Sequence, residues 1–324
     1  MPTRSQLRSE IRRDDTRRRC AERGNWTDAP GDDAGREWPG EEPGYGTKEA
    51  RVSAGGTPRS RGGDLTHSRG SIPLTPELGP SWLRPLVDNV GQVPDAYRRR
   101  LPADMLAMVT AAKATASLRK DGRDAAVLVL FSGPRSDRSN GALPDSLPQD
   151  VDLLLTVRAS TLRHHAGQAA FPGGTSDPGD DGPVATALRE AREETGIDTG
   201  RLHPLATMER TFIAPSGFHV VPVLAYSPDP GPVAVVDRAE TAIVARVPVR
   251  AFINPANRLM VYRSSFSRRF AWPAFLLNEM LVWGFTGQVI SAMLDVAGWA
   301  KPWDTDDVRE LDEAMALIGD GDDA

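Results

Sequence analysis

The chain has 324 residues, 40% of them hydrophobic and 26% charged, with a formal net charge of −5 and one cysteine, a composition that suits a soluble globular protein of one or two domains. A single thiol, Cys20, excludes an internal disulfide framework and a cysteine-rich zinc site, so a reducing, cytoplasmic setting is the expectation and Cys20 itself reads as inert. The mild acidity gives no pull towards nucleic acid, the longest apolar runs fall well short of the ~18 residues a membrane-spanning helix needs, and the Arg-rich start carries no apolar stretch like that of a secretory signal.

Residues 1–72 hold, ahead of Ile72 at their very end, Leu7, Ile11, Val52 and Leu65 as their large aliphatics, set among Arg, Asp, Glu, Gly, Pro and Ser. Such a segment buries too little to offset its ordering entropy and is expected to be disordered. Order is expected from about residue 73, and residues 73–300 read as one folded domain. Residues 81–101, with Trp82, Leu83, Leu86, Val87, Val90, Val93 and Tyr97, predict a helical and turn region, and residues 102–117 continue with helix formers. The β-rich run 125–131 ends at the turn signal Ser132-Gly133-Pro134, and 151–157 predicts a second strand. Further strands are predicted at 203–211, 218–226, Thr241–Pro248, 259–266 and 270–277, then a helix over 279–297. The acidic end, residues 301–324, reads as a tail with one weakly amphipathic helix that frays. Strands outnumber helices, which implies a mixed α/β architecture with helices packed on a sheet.

The informative segment is Phe171-Pro172-Gly173-Gly174, a polar turn, and Pro183–Thr195. Pro183 suits a first helical position, Asp181 or Gly182 can cap, and Gly196 can take the left-handed closing conformation, so one short helix is specified at both ends. Along it Val184, Leu188, Ala191 and Thr195 fall within an arc of about 60°, the stripe of a core-facing helix. Glu190, Glu193 and Glu194 fall within roughly 100° of one another and mostly away from that stripe, which crowds three carboxylates on one exposed face. Mutual repulsion and the helix dipole each oppose this by a few tenths of a kcal/mol. A hard divalent cation, Mg²⁺ or Mn²⁺, resolves it, because such an ion takes oxygen ligands and can also hold substrate phosphates. The competing reading is a solvated acidic face partly neutralised by Arg189 and Arg192. Gly173 and Gly174 favour the ion, because they let backbone approach a ligand closely.

At these residues the chain resembles the Nudix hydrolases. Their box reads G-x5-E-x7-R-E-U-x-E-E-x-G-U with U aliphatic, and Arg189-Glu190-Ala191-Arg192-Glu193-Glu194-Thr195-Gly196-Ile197 fills its second half, taking Ala as U. The first half departs from it: counted from Gly174 the upstream acid falls at Asp180, an aspartate, and the gap to Arg189 is one residue longer, which leaves Asp180 and Asp181 as alternative counterparts. This form is similar to the branch that cleaves coenzyme A and its derivatives. That branch carries a further signature, L-L-T-x-R-[SA]-x3-R-x3-G-x3-F-P-G-G, and Leu154, Leu155, Thr156, Arg158, Ala159, Arg163, Gly167 and Phe171 to Gly174 match every specified position. Val282-Trp283-Gly284-Phe285-Thr286 also looks like this branch.

The resemblance implies a Nudix-type α/β/α sandwich with a mixed sheet and a central loop-helix-loop catalytic motif. It implies Mg²⁺ or Mn²⁺ on Glu190, Glu193, Glu194 and the carbonyl of Gly174, with Glu190 the first choice for the carboxylate that activates water. Arg189 would orient the carboxylates, and Arg158 and Arg163, with Gly173 and Gly174, would hold the substrate's phosphates. His164 and His165 lack the spaced partners of a zinc site. Glu240 and Glu279 could enter the site from elsewhere, but sequence alone promotes neither. The expected reaction converts coenzyme A or an acyl-CoA into 3′,5′-ADP and (acyl-)4′-phosphopantetheine, in a monomer or homodimer. The alternatives are a Nudix hydrolase of another nucleoside diphosphate derivative, such as ADP-ribose or a dinucleotide, and a catalytically silent binding module of the same fold.

Overall fold

A computed structural model of the chain describes residues 71–101, 106–107, 110–111, 123–135, 147–161, 167–213, 216–265, 268–278 and 280–319, all of them within the compact unit Arg69–Ala324. The segment 1–70 with Cys20, most of 102–117, Arg163, His164, His165 and Glu279 lie outside the described residues.

The first sheet is built on two parallel strands, β1 (Arg123–Ser132) and β7 (Phe218–Ser227), paired from Arg123 with Phe218 to Ser132 with Ser227. On the other side of β1 runs antiparallel β2 (Asp152–Arg158), which also pairs antiparallel with β8 (Thr241–Pro248) and with β3 (Ala169–Ala170). The short strand β4 (Gly173–Thr175) lies along the first residues of β1, and β5 (His203–Thr207) and β6 (Thr211–Ile213) pair with β7. The sheet is mixed, as the α/β reading requires.

Side-chain alternation along β1 divides the interior into two layers. Ala126, Leu128 and Leu130 pack with Leu154, Val223 and Ala225 against Val184, Ala187, Leu188 and Ala191 of a helix numbered here α3 (Pro183–Thr195). Val129 and Phe131 point the other way, into a cluster with Trp82, Tyr226, Trp299, Val289, Ile290 and Met293. That second layer is covered by α1 (Arg84–Asp88), α2 (Val93–Arg98) and α5 (Gly284–Val296). Helices therefore sit on both faces of the sheet. Trp82 pins the leading segment by donating its indole N–H to the Pro134 carbonyl at 2.9 Å and by edge contacts with Phe131 and Tyr226.

After the short helix α4 (Val249–Ile253), the strands β9 (Arg258–Ser265), β10 (Arg268–Leu277), β11 (Met280–Val282) and β12 (Val308–Glu310) form a second sheet in the order β11-β10-β9-β12. Helix α6 (Leu311–Gly319) buries Leu311 and Ala314 against it. The acidic end thus carries a strand and a docked helix before residue 320. Two sequence expectations are corrected. The single strand expected over 203–211 breaks at Met208 to Arg210 into β5 and β6. The helix expected from 279 starts at Gly284, because Met280–Val282 continues as a strand paired with β10. Among the described residues no helix is long and apolar enough to cross a membrane.

Candidate active site

Helix α3 has the limits its sequence specifies. Pro183 occupies its first turn, Gly182 precedes it with φ 86°, and Gly196 closes it with φ 65° while donating its N–H to the Arg192 carbonyl. The apolar stripe is fixed against β1, which decides where the three carboxylates point. On the wheel Glu193 lies nearly opposite the stripe and Glu194 about 90° from its centre. The structure follows: the Glu193 side chain is 53% exposed and that of Glu190 18%, and Glu194 is also half-buried. The single exposed acidic face expected from the sequence is therefore split. Glu190 and Glu194, one turn apart, are covered by β4.

The cover is made of glycine for a steric reason. A Cβ on Gly174 would stand 2.5 Å from the Glu190 carboxylate, and one on Gly173 would stand 2.4 Å from the Ala126 carbonyl oxygen of β1. With no side chain at either position, the strand can hydrogen-bond to β1 on one edge and touch the carboxylates of α3 on the other. The Gly173 N–H donates to Glu194 Oε2 at 3.2 Å.

Partial burial has electrostatic consequences. Desolvation pushes the Glu194 carboxyl up to about 7, assisted by the negative charges of Glu190 and Glu240 and opposed by the Gly173 N–H and by Arg158. Desolvation also raises Glu190, against the pull of Arg189, with Glu193 and Asp177 adding to the rise.

Arg189 organises the rest. Its Nε and Nη2 hold both oxygens of Asp180 at 3.0 Å, Nη2 also donates to the Thr175 carbonyl at 2.8 Å, and Nη1 reaches Glu190 Oε1 at 3.0 Å and Glu193 Oε2 at 3.1 Å. Asp180 is in turn fixed by the Asp177 N–H and the Thr186 hydroxyl, each at 2.9 Å. The guanidinium beside it holds the Asp180 carboxyl down at about 2. Of the two upstream acids the sequence left open, Asp180 is the one joined to the helix. It acts on Arg189, the same guanidinium that reaches Glu190.

Arg158, at the end of β2, and Glu240, in the turn before β8, are both close enough to Glu194 to shift it; the Ala159 N–H donates to the Glu240 carbonyl at 2.9 Å, which ties these two segments together. The structure thus gathers Arg158, Gly173, Gly174, Arg189, Glu190 and Glu194, with Glu193 on the outer flank. Glu240 was not separable by sequence, because its approach depends on the pairing of β2 with β8.

Among the described residues no three acidic, histidine or cysteine side chains converge into a complete cage for a metal ion. The donors present still suit Mg²⁺ or Mn²⁺, since such ions are commonly held by one or two carboxylates while substrate phosphates and waters fill the remaining positions. Two desolvated, mutually repelling carboxylates against the paired glycines of β4 are a fitting half-shell. A bound cation would favour the ionised form of both carboxyls, which burial and neighbouring negative charge oppose.

The profile of the NUDIX domain matches residues 145–269. An uncharacterized Nudix hydrolase of Yersinia pestis, NudL, is 35% identical over 142 residues, 43% of this chain and 68% of the relative. Among solved structures, the Nudix hydrolase RenU of M. smegmatis aligns with 40% of this chain and 71% of its own at 22% identity and a TM-score of 0.31. An Ap4A hydrolase of C. elegans aligns with 40% and 81% at 23% identity and a TM-score of 0.30.

Proposed function

Since the chain belongs to the Nudix hydrolases, enzymes acting on pyrophosphate bonds in nucleoside diphosphate derivatives, we propose that its substrate is coenzyme A or an acyl-CoA, cleaved to 3′,5′-ADP and (acyl-)4′-phosphopantetheine. The observation that carries the narrower reading is the position of Arg158. It belongs to the signature shared with the coenzyme A branch, and in the fold it stands within electrostatic reach of Glu194. A substrate with a 3′-phosphate beside its diphosphate needs cations in addition to those that neutralise the scissile bond, and Arg158 and Arg163 are suited to grip phosphate bidentately.

A divalent ion, when bound, supplies the charge neutralisation that phosphoanhydride cleavage requires. Glu190 and Glu194 would hold it, and the Gly174 carbonyl would offer a third oxygen. Arg189 keeps the Glu190 carboxylate in place through a charge-assisted hydrogen bond, and Asp180 fixes Arg189 from behind. Glu193 shares that arginine from the solvent side. Hydrolysis forms a bond from the water oxygen to phosphorus and breaks the bridging P–O bond. The water's proton passes to a carboxylate, for which Glu190 is the first choice.

Initial rates on coenzyme A, dephospho-CoA and ADP-ribose test the substrate, with Mg²⁺ and again with EDTA. The expected result is metal-dependent turnover in which coenzyme A exceeds both others at least tenfold. Equal or better turnover of ADP-ribose would assign the enzyme to another nucleoside diphosphate derivative, and no turnover of any would favour a silent binding module.

A further inference from the structure

An open pocket of about 350 Å³ is lined by Val157, Arg158, Ser160, Gly167, Ala242, Met315 and Ile318. Its walls come from places far apart in the sequence: the end of β2, the turn before β3, β8, and the C-terminal helix α6. Met315 and Ile318 lie outside the matched domain, residues 145–269. Met315 reaches over the signature turn, where a Cβ on Gly167 would stand 4.0 Å from its methyl carbon. Behind them α6 is seated by Leu311 and Ala314 on the second sheet, in a cluster that also holds Trp272 and Trp283.

Arg158 belongs both to this pocket and to the surroundings of Glu194, so the pocket opens beside the diphosphate site. Its other walls are aliphatic, with one thioether and one hydroxyl. Among the described residues that line it there is no aromatic ring on which a base would stack and no side-chain amide to read a base edge. Met adapts its shape to flexible apolar chains. At roughly 30 Å³ per heavy atom the volume admits on the order of ten chain atoms.

We propose that this pocket takes the thiol-bearing arm of the substrate, the outer pantetheine and the start of an acyl chain, and that Met315 and Ile318 of the C-terminal helix set the chain-length preference. The inference rests on the coenzyme A reading above. With Arg158 on the phosphate side and Met315 and Ile318 on the apolar side, one end of the substrate is held by charge and the other by burial. Each methylene that enters raises kcat/KM by up to about fourfold until the pocket is filled.

The test is a kcat/KM series on coenzyme A and acyl-CoAs of increasing chain length for the parent and the Met315→Trp, Met315→Ala and Leu317→Trp variants. Product inhibition by acyl-phosphopantetheine and by 3′,5′-ADP is measured alongside. Met315→Trp should fill the pocket and flatten the series, lowering a medium-chain acyl-CoA at least tenfold relative to coenzyme A. Met315→Ala should move the optimum to longer chains, and keeps the test open if the tryptophan variant misfolds. Leu317, 45% exposed on the same helix and not part of the pocket, should leave the series unchanged when replaced. Inhibition by acyl-phosphopantetheine should weaken at least tenfold in Met315→Trp, and that by 3′,5′-ADP by less than twofold. A series identical in parent and both Met315 variants, or a selective loss of 3′,5′-ADP inhibition, overturns the proposal while leaving the coenzyme A reading standing. Absence of turnover on coenzyme A and every acyl-CoA in the parent overturns that reading and this one with it.

Discussion

Replacing Glu194 by Gln should stabilise the metal-free protein while disabling it. The carboxyl is held at about 7 against an ordinary value of 4.5, so ionising it opposes the fold. The stability associated with its neutral form is complete below pH 4.5 and is lost as pH rises through 7. At about 1.4 kcal/mol per unit of pKa the loss is roughly 3 kcal/mol, and solvent contact of the half-buried group reduces it to about 2. Glutamine preserves the carbonyl oxygen that accepts the Gly173 N–H and has no charge to desolvate. Urea melts in EDTA should therefore coincide for the parent and Glu194→Gln at pH 4, and at pH 8 the variant should be more stable by about 2 kcal/mol. With Mg²⁺ and substrate its turnover should fall at least a hundredfold. Parallel pH dependences in the two proteins, or a variant less stable at pH 8, would refute the reasoning that burial and like charge strain this carboxylate.

Three further outcomes follow from the same geometry. Asp180→Asn removes the charge that two arginine nitrogens grip at 3.0 Å and should lower stability by about 2 kcal/mol and kcat about tenfold, with KM little changed; in the parent, with that carboxyl held at about 2, this contribution is present above pH 4 and lost as pH falls through 2, as acid melts of the two proteins will show. Gly174→Ala meets the movable end of Glu190 at 2.5 Å, whereas Gly173→Ala meets β1 backbone at 2.4 Å, so the first should retain the parent's melting temperature and lose activity, and the second should lose several kcal/mol of stability. Arg158→Gln should raise KM for coenzyme A about tenfold more than it lowers kcat, read from a full substrate titration.

The helix could be read from sequence because its signals are local. Pro183, Gly196 and the stripe Val184-Leu188-Ala191-Thr195 fix its ends and its buried face without reference to the remaining chain. The environment of the carboxylates could not, because the cover over Glu190 and Glu194 comes from β4, three residues of which two have no side chain and which carries no strand signal of its own. A wheel drawn for α3 alone leaves that side open to water. The pairing of Asp180 with Arg189 follows from a turn whose course is set by hydrogen bonds at Asp177 and Thr186, and periodicity does not report those. Glu240 and the pocket under Met315 and Ile318 depend on the β2–β8 pairing and on where α6 docks. The β2–β8 contacts alone join residues more than 80 positions apart, beyond the reach of any motif.

Calorimetric titration of Mn²⁺ into the parent and into Glu190→Gln, Glu194→Gln and Glu193→Gln tests the central claim most directly, with 3′,5′-ADP present to supply phosphate oxygens. The account predicts a binding site that weakens at least tenfold without Glu190 or Glu194 and only a few-fold without the exposed Glu193. Equal Mn²⁺ affinity in all four proteins would contradict it, because the ion would then be held by residues other than the pair beneath Gly173 and Gly174.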